Sequence, residues 1–273
     1  MKMVEILKNA FIFPSKNLET LAIYGILLLL STAFMFQGIV NCILVIIDIG
    51  NLVVGIVYIA IAIIIGFLTR RMSIQCIKSG IDLEEKMPDF NWFQSFGTGI
   101  SKVVITIFYF IIPAVIVIII ALFTNVIGSA ITLGQVIYEQ APALIIGSTS
   151  ASDAIYNAAF PIIISLSITI SLGLIIFLVF SFFQVMGEAR LAHTGSLKKA
   201  LNIVGAARDI KRIGVARVFL LSALIFVIVG IIECISAVIF DHLLVLSILT
   251  IVITPYITLF GQRALGLLYS DIV

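Results

Sequence analysis

The stretch NLVVGIVYIAIAIIIGFLTRR, residues 51–71, decides the fold. From Leu52 to Thr69 it carries no charged residue, and it then stops on Arg70 and Arg71. A helix rises about 1.5 Å per residue, so the run covers most of the roughly 30 Å hydrocarbon layer of a bilayer. No period-two alternation of polar and apolar residues breaks it, which argues against an outer-membrane strand and for a helix. The arginine pair gives the helix a direction, because Lys and Arg collect in the cytoplasmic connections of membrane proteins.

Working outward, five further apolar segments can be drawn, and the full set is approximately 20–47, 51–70, 103–127, 156–186, 216–240 and 243–267. The first is long enough for one tilted helix or for a helix broken near Gln37 and Gly38, but too short for two crossings. The basic residues fall in alternate gaps. Lys2, Lys8 and Lys16 precede the first span; Arg70, Arg71, Lys78, Lys86 and Lys102 lie between the second and third. Seven more, from Arg190 to Arg217, lie between the fourth and fifth, and Arg263 ends the sixth. The gaps around Asp48 to Asn51, Gly134 to Tyr156 and Asp241 to His242 have no Lys or Arg, so both termini are assigned to the cytoplasmic side of the cell membrane.

Composition agrees. The chain is 62% hydrophobic and only 11% charged, with a mean hydropathy of +1.29, far from the roughly 25% charged residues of soluble domains. A net charge of +2 gives no basis for nucleic-acid binding. Cys42, Cys76 and Cys234 are scattered without CxxC spacing, so neither a disulfide framework nor a zinc site is indicated. The start of the chain lacks the ordered regions of a removed signal peptide. The fold expected is all-α: a polytopic integral membrane helical bundle of about six transmembrane helices plus cytoplasmic-side amphipathic helices, forming one membrane domain over residues 1–273.

Three stretches are assigned to the cytoplasmic face: an N-terminal interfacial segment 1–17, a connection 71–102, and a basic amphipathic connection 187–215. In the first, Val4, Leu7 and Phe11 share a helical face ahead of Pro14. In the second, Pro88 interrupts any helix, Asp89 or Asn91 can cap the next, and Trp92, Phe93 and Phe96 suit the headgroup level. Its acids Asp82, Glu84, Glu85 and Asp89 lack calcium-loop spacing and read as a solvated loop. In the third, Leu197, Leu201, Val204, Ala207 and Ile210 form a stripe, while Lys198, Lys199, Arg208, Lys211 and Arg212 are assigned to contact anionic lipid headgroups.

Three motifs carry a family resemblance. They are Asn9-Ala10-Phe11-Ile12-Phe13-Pro14-Ser15-Lys16-Asn17 before a Leu-rich span, the stretch from Gly66-x-x-x-Arg70-Arg71 to Met87-Pro88-Asp89-Phe90-Asn91-Trp92, and Thr254-Pro255-Tyr256 to Gly261. Over nearly its whole length the chain is similar to the archaeal membrane family catalogued as domain of unknown function 4013. The resemblance implies an archaeal cytoplasmic membrane protein and carries across no functional residue.

No pattern of catalytic, cofactor-binding or metal-ligating residues is found. His193 and His242 are the only histidines, and the topology puts them on opposite sides of the membrane. The run Gly97-Thr98-Gly99-Ile100-Ser101-Lys102 lacks the GxxxxGK spacing of a phosphate loop, so nucleotide binding is set aside. Glu233 is an ionisable group at membrane depth, read as a proton relay or, in preference, as a side chain reaching the outer headgroups. Gln37, Asn41 and Asp48 share a helical face and Asn125 ends the third span; interhelical hydrogen bonding accounts for them as well as a cavity does. Pro113 and Pro255 are candidate kinks, which in inverted repeats would mark a transport site.

The reading is therefore a non-enzymatic membrane module whose basic face contacts anionic lipids or partner proteins. The alternative is a small-solute or proton-coupled transporter with a cavity near Glu233, Pro113 and Pro255, and a membrane-embedded hydrolase ranks third. Protein partner and oligomeric state have no signature in the sequence.

Overall fold

The computed structural model describes residues 1–45, 50–90, 96–145, 149–238 and 252–273, and its described elements are all helical. In chain order they are α1 (Met3–Ile12), a 3-10 turn (Phe13–Lys16), α2 (Leu18–Leu44), α3 (Leu52–Ile81), α4 (Phe96–Phe123) and α5 (Val126–Ile145). Then follow α6 (Thr149–Thr194), α7 (Leu197–Ala200), α8 (Ile203–Ile213), α9 (Val215–Val238), α10 (Thr254–Tyr269) and a closing 3-10 turn (Ser270–Ile272). Asparagines start several of them. The Asn17 side chain accepts from the Thr20 N–H at 3.0 Å, Asn51 from Val53 and Val54 at 3.0 and 3.2 Å, and Asn202 from Gly205 at 2.9 Å. Each satisfies backbone donors that a first turn leaves unpaired.

Among the described residues, four helices are long and apolar enough to cross a membrane: α2, α3, α4 and α6. The first span is one unbroken helix through Gln37 and Gly38. Helix α9 covers the fifth span of the sequence reading but for its last two residues, which lie outside the described set, and α10 occupies the charged-side end of the sixth, whose beginning lies outside it. The gap from Gly134 to Tyr156, drawn in the sequence only as free of Lys and Arg, is helical among its described residues: α5 carries Gly134, Gln135, Glu139 and Pro142, and α6 begins at Thr149. Ile127, Ala130, Ile131 and Ile137 recur at helical spacing there, which outweighs the roughly 1 kcal/mol a mid-helix glycine costs. The basic connection differs in detail too, being two helices parted at Leu201 and Asn202, because Asn202 caps the second.

The chain divides into two compact units, Met1–Thr106 with Phe182–Val273, and Ile107–Ser181. In the first unit α3 inverts the pattern of a soluble helix. Its apolar half is exposed, with Val53 at 69% and Ile56 at 55%, whereas its second half buries Arg71, Ser73 and Ser79 together with Met72, Cys76 and Ile77. Water would penalise such an apolar surface by roughly 25 cal/mol per Å², and a hydrocarbon solvent removes the penalty. The core accordingly gathers where the charges are. Phe13, Leu21, Tyr24, Met72, Cys76, Met87 and Leu259 form one buried cluster, so the α1 turn, α2, α3 and α10 converge there.

Glycines set the closest crossings. A Cβ on Gly38 would lie 2.6 Å from Ile59 Cγ1 and one on Gly55 2.6 Å from Cys42 Sγ, so α2 and α3 pack nearly backbone to backbone. At the other end of α3, a Cβ on Gly266 would lie 2.2 Å from the Ile77 carbonyl oxygen, and one on Gly80 2.8 Å from Gly266 Cα. Small residues permit this approach, and dispersion contacts between the backbones replace the missing side chains.

In the second unit the Thr124 and Thr169 hydroxyls meet at 2.7 Å, and the Phe110 and Phe177 rings lie 5.6 Å apart. Its apolar side chains are widely exposed, as lipid-facing ones are.

Candidate functional site

The charged half of the first unit is held by paired ions. Lys102 on α4 reaches Glu188 on α6 at 3.1 Å, both side chains largely buried, and Gln184 bridges the Glu188 carboxylate and the Thr106 hydroxyl at 3.2 Å each. Two residues on, Arg190 meets Asp209 of α8 at 2.6 Å, donates from Nε to the Lys199 carbonyl at 2.9 Å, and occupies the space above Gly205 that a Cβ would take. The Tyr269 hydroxyl donates to the same Asp209 oxygen at 2.9 Å. Burial pushes the Tyr269 hydroxyl well above its ordinary range, and the hydrogen bond and charge of Asp209 push it further, so it stays a donor.

Arg263 of α10 is buried. It donates to the Ser79 hydroxyl at 3.1 Å and to the Glu84 carbonyl at 2.6 Å, with the Phe13 ring 4.2 Å from its guanidinium carbon. At the chain ends Asp271 accepts from the Met1 ammonium at 2.7 Å and from Arg217 at 2.8 Å. Burial pushes the Asp271 carboxyl up, but these two cations outweigh it and hold the group below its ordinary value. Lys16 donates to the Glu85 carbonyl at 3.0 Å and Asn17 to Asp89 at 3.3 Å, which ties the acidic loop to the start of α2.

These ties fix α8 in an informative orientation. Its protein-facing side is Gly205, Ala206, Asp209 and Ile213, all buried. The opposite side presents Val204, 68% exposed, with Ala207 between Arg208 and Lys211. Leu197, Leu201 and Ile210 are half-buried. Of the seven basic residues from Arg190 to Arg217, the first and the last are held in ion pairs. The remaining five, Lys198, Lys199, Arg208, Lys211 and Arg212, are exposed and form no side-chain ion pair among the described residues.

The other candidates are dispersed. Gln37 is exposed, and Asn41 donates to the Gln37 carbonyl of its own helix at 2.8 Å; Asp48 lies outside the described residues. Asn125 forms the corner between α4 and α5 with φ of 56°, where its side chain fills the space beside Gly128 and lines a cavity of about 420 Å³ with Thr124, Ser129 and Ser165. Pro113 sits inside α4, in the second unit, without ending the helix. Pro255, in the first unit, occupies the opening turn of α10, where a missing N–H costs little. Glu233 lies within α9, its side chain outside the described residues, as are Trp92 and His242. The described residues contain no His, Cys, Asp or Glu group able to hold a metal ion.

Residues 52–240, well over half of the chain, match the family described as Protein of unknown function (DUF4013). The chain belongs to DUF4013. No curated protein and no solved structure matches it. The DUF4013 match contains the Lys102–Glu188 and Arg190–Asp209 pairs and all of α8, and of the three motifs that suggested the family it contains the one running from Gly66 to Trp92. Tyr269, Arg263 and Asp271, which brace this part of the DUF4013 chain, lie beyond it.

Sequence reading missed the ion pairs, although one signal pointed to two of them. Glu188 and Asp209 are the only acids in the basic connection 187–215, and a lone carboxylate among so many cations beside a membrane is poorly placed unless it is buried with one of them.

Proposed function

We propose that this DUF4013 protein is a non-enzymatic, multi-pass protein of the cytoplasmic membrane with six spans and both termini inside, whose basic face contacts anionic lipid headgroups. The observation that supports it is the presentation of α8. A helix fastened to the protein by Asp209 offers an apolar centre, Val204 and Ala207, rimmed by Arg208, Lys211 and Arg212. That arrangement suits a surface with charge at headgroup level and hydrocarbon just beneath it, the long basic side chains extending toward the phosphates. Each basic group near an anionic leaflet contributes about 1 kcal/mol, so the five exposed cations correspond to roughly 5 kcal/mol at full engagement.

The full chain in nanodiscs tests this by hydrogen exchange over residues 197–213. Exchange should slow when phosphatidylglycerol is added to phosphatidylcholine. It should recover as salt shortens the Debye length from about 10 Å at 0.1 M to about 3 Å at 1 M. Identical exchange in both lipids would reject headgroup contact.

A further inference from the structure

A second feature of the first unit stands apart from the α8 surface. The charged end of α3, the beginning of α4 and the end of α6 surround an open cleft of about 770 Å³. Its polar wall is Arg71, Gln75 and Lys78 from α3, Thr98 and Ser101 from α4, and His193 and Thr194 from α6, the Thr194 hydroxyl being spent on the Arg190 carbonyl at 2.8 Å. The α3 residues recur at intervals of four and three and so share one helical face, and Thr98 and Ser101 do the same on α4. Among the described residues no carboxylate lines the cleft. The acid on α6 nearest in sequence to His193, Glu188, is held by Lys102, and Asp209 is held by Arg190.

Among the described residues the wall is therefore rich in donors and contributes no carboxylate. The side chains of Gln75, Lys78, Thr98 and Ser101 have no hydrogen-bond partner among the described residues. The Lys78 ammonium offers three N–H groups, and the amide and hydroxyls turn their donors to suit. The excess of Lys and Arg beside any membrane span would account for the charge of Lys78, but not for two hydroxyls, an amide and an imidazole brought to the same concavity as a buried Arg71. Donors converging from three helices on a cationic, acid-free hollow complement a tetrahedral oxyanion with several acceptor oxygens. The cleft falls in the range of about 300–1,000 Å³ typical of small-molecule sites, roomy enough for a phosphate carrying a substituent.

We propose that this cleft is a binding site for a phosphate group, borne by a lipid headgroup or by a free phosphate compound, with Lys78 and Arg71 supplying charge and Thr98 and Ser101 supplying hydroxyl donors. It does not rest on lipid contact by α8, and the two can fail separately. The full chain in neutral detergent is titrated by calorimetry with inorganic phosphate and with dihexanoyl phosphatidic acid. Saturable binding of one equivalent of either ligand is expected. Binding of both, in competition, identifies the free ion as sufficient, and binding of the lipid alone identifies a headgroup site. Lys78→Gln, an exposed position with no described side-chain partner, should weaken binding about tenfold, the loss of one charge-assisted contact. Ser101→Ala should weaken it less, and Lys8→Gln, an exposed cation outside the cleft, should leave it unchanged. Wild-type protein that takes up neither ligand, or Lys78→Gln protein that binds like wild type, would overturn the assignment.

Discussion

Gly266→Ala should loosen the charged end of the first unit more than any surface change. The added Cβ would sit 2.2 Å from the Ile77 carbonyl oxygen and 2.9 Å from Gly80 Cα, where ordinary contact begins near 3.4 Å. Neither neighbour is a flexible side chain, so α3 and α10 must part by on the order of 1 Å. Arg263, one turn before Gly266, would then be drawn from the Ser79 hydroxyl and the Glu84 carbonyl. Overpacking of this kind costs about 3 kcal/mol, which raises the locally open population roughly a hundredfold. Cys76 provides the readout, since it is fully buried and adjoins Ile77. In a chain with Cys42 and Cys234 replaced by Ser, maleimide labelling of Cys76 should accelerate about a hundredfold in Gly266→Ala. An unchanged labelling rate with an unchanged thermal midpoint would refute the close packing of α3 on α10.

Three further outcomes follow from the ion pairs. Glu188→Gln leaves Lys102 without its counter-ion and should cost about 3–5 kcal/mol, seen as a lower unfolding midpoint in detergent, while Lys102→Met with Glu188→Met should recover most of it; equal loss in both would show that packing, not charge, matters there. Tyr269→Phe removes one donor to Asp209 and should cost about 1 kcal/mol by the same assay. Because the Asp271 carboxyl is held below its ordinary value in the folded chain, its stabilisation is complete above about pH 3.9 and is lost as pH falls through the lower folded value. Acid should therefore release the α1 segment, read as faster hydrogen exchange over residues 3–12, and Asp271→Asn should release it already at neutral pH.

Much of the fold was legible because hydrophobic length is local. The run ending at Arg70 and Arg71 lies in one short window of sequence, whereas the continuity of α2 through Gln37 and Gly38, which the sequence left open, and the caps Asn17 and Asn51 come from the structure. What was lost depends on distance along the chain. Arg263 and Ser79 are 184 residues apart and Tyr269 and Asp209 are 60 apart, and no periodicity reports such pairings. Part of the α8 surface was readable. Lys198, Lys199, Arg208, Lys211 and Arg212 are exposed and form no side-chain ion pair among the described residues, but that Gly205, Ala206 and Asp209 make the protein-facing side follows only from the position of Arg190.

The central claim, that α8 lies against an anionic leaflet, is tested most directly by a nitroxide at position 204 of the full-length protein in nanodiscs. With phosphatidylglycerol present, collision with oxygen should exceed collision with a water-soluble nickel chelate, and the balance should reverse when the four charges at Lys198, Lys199, Lys211 and Arg212 are removed. A label equally open to the chelate in anionic and in neutral lipid would contradict the account.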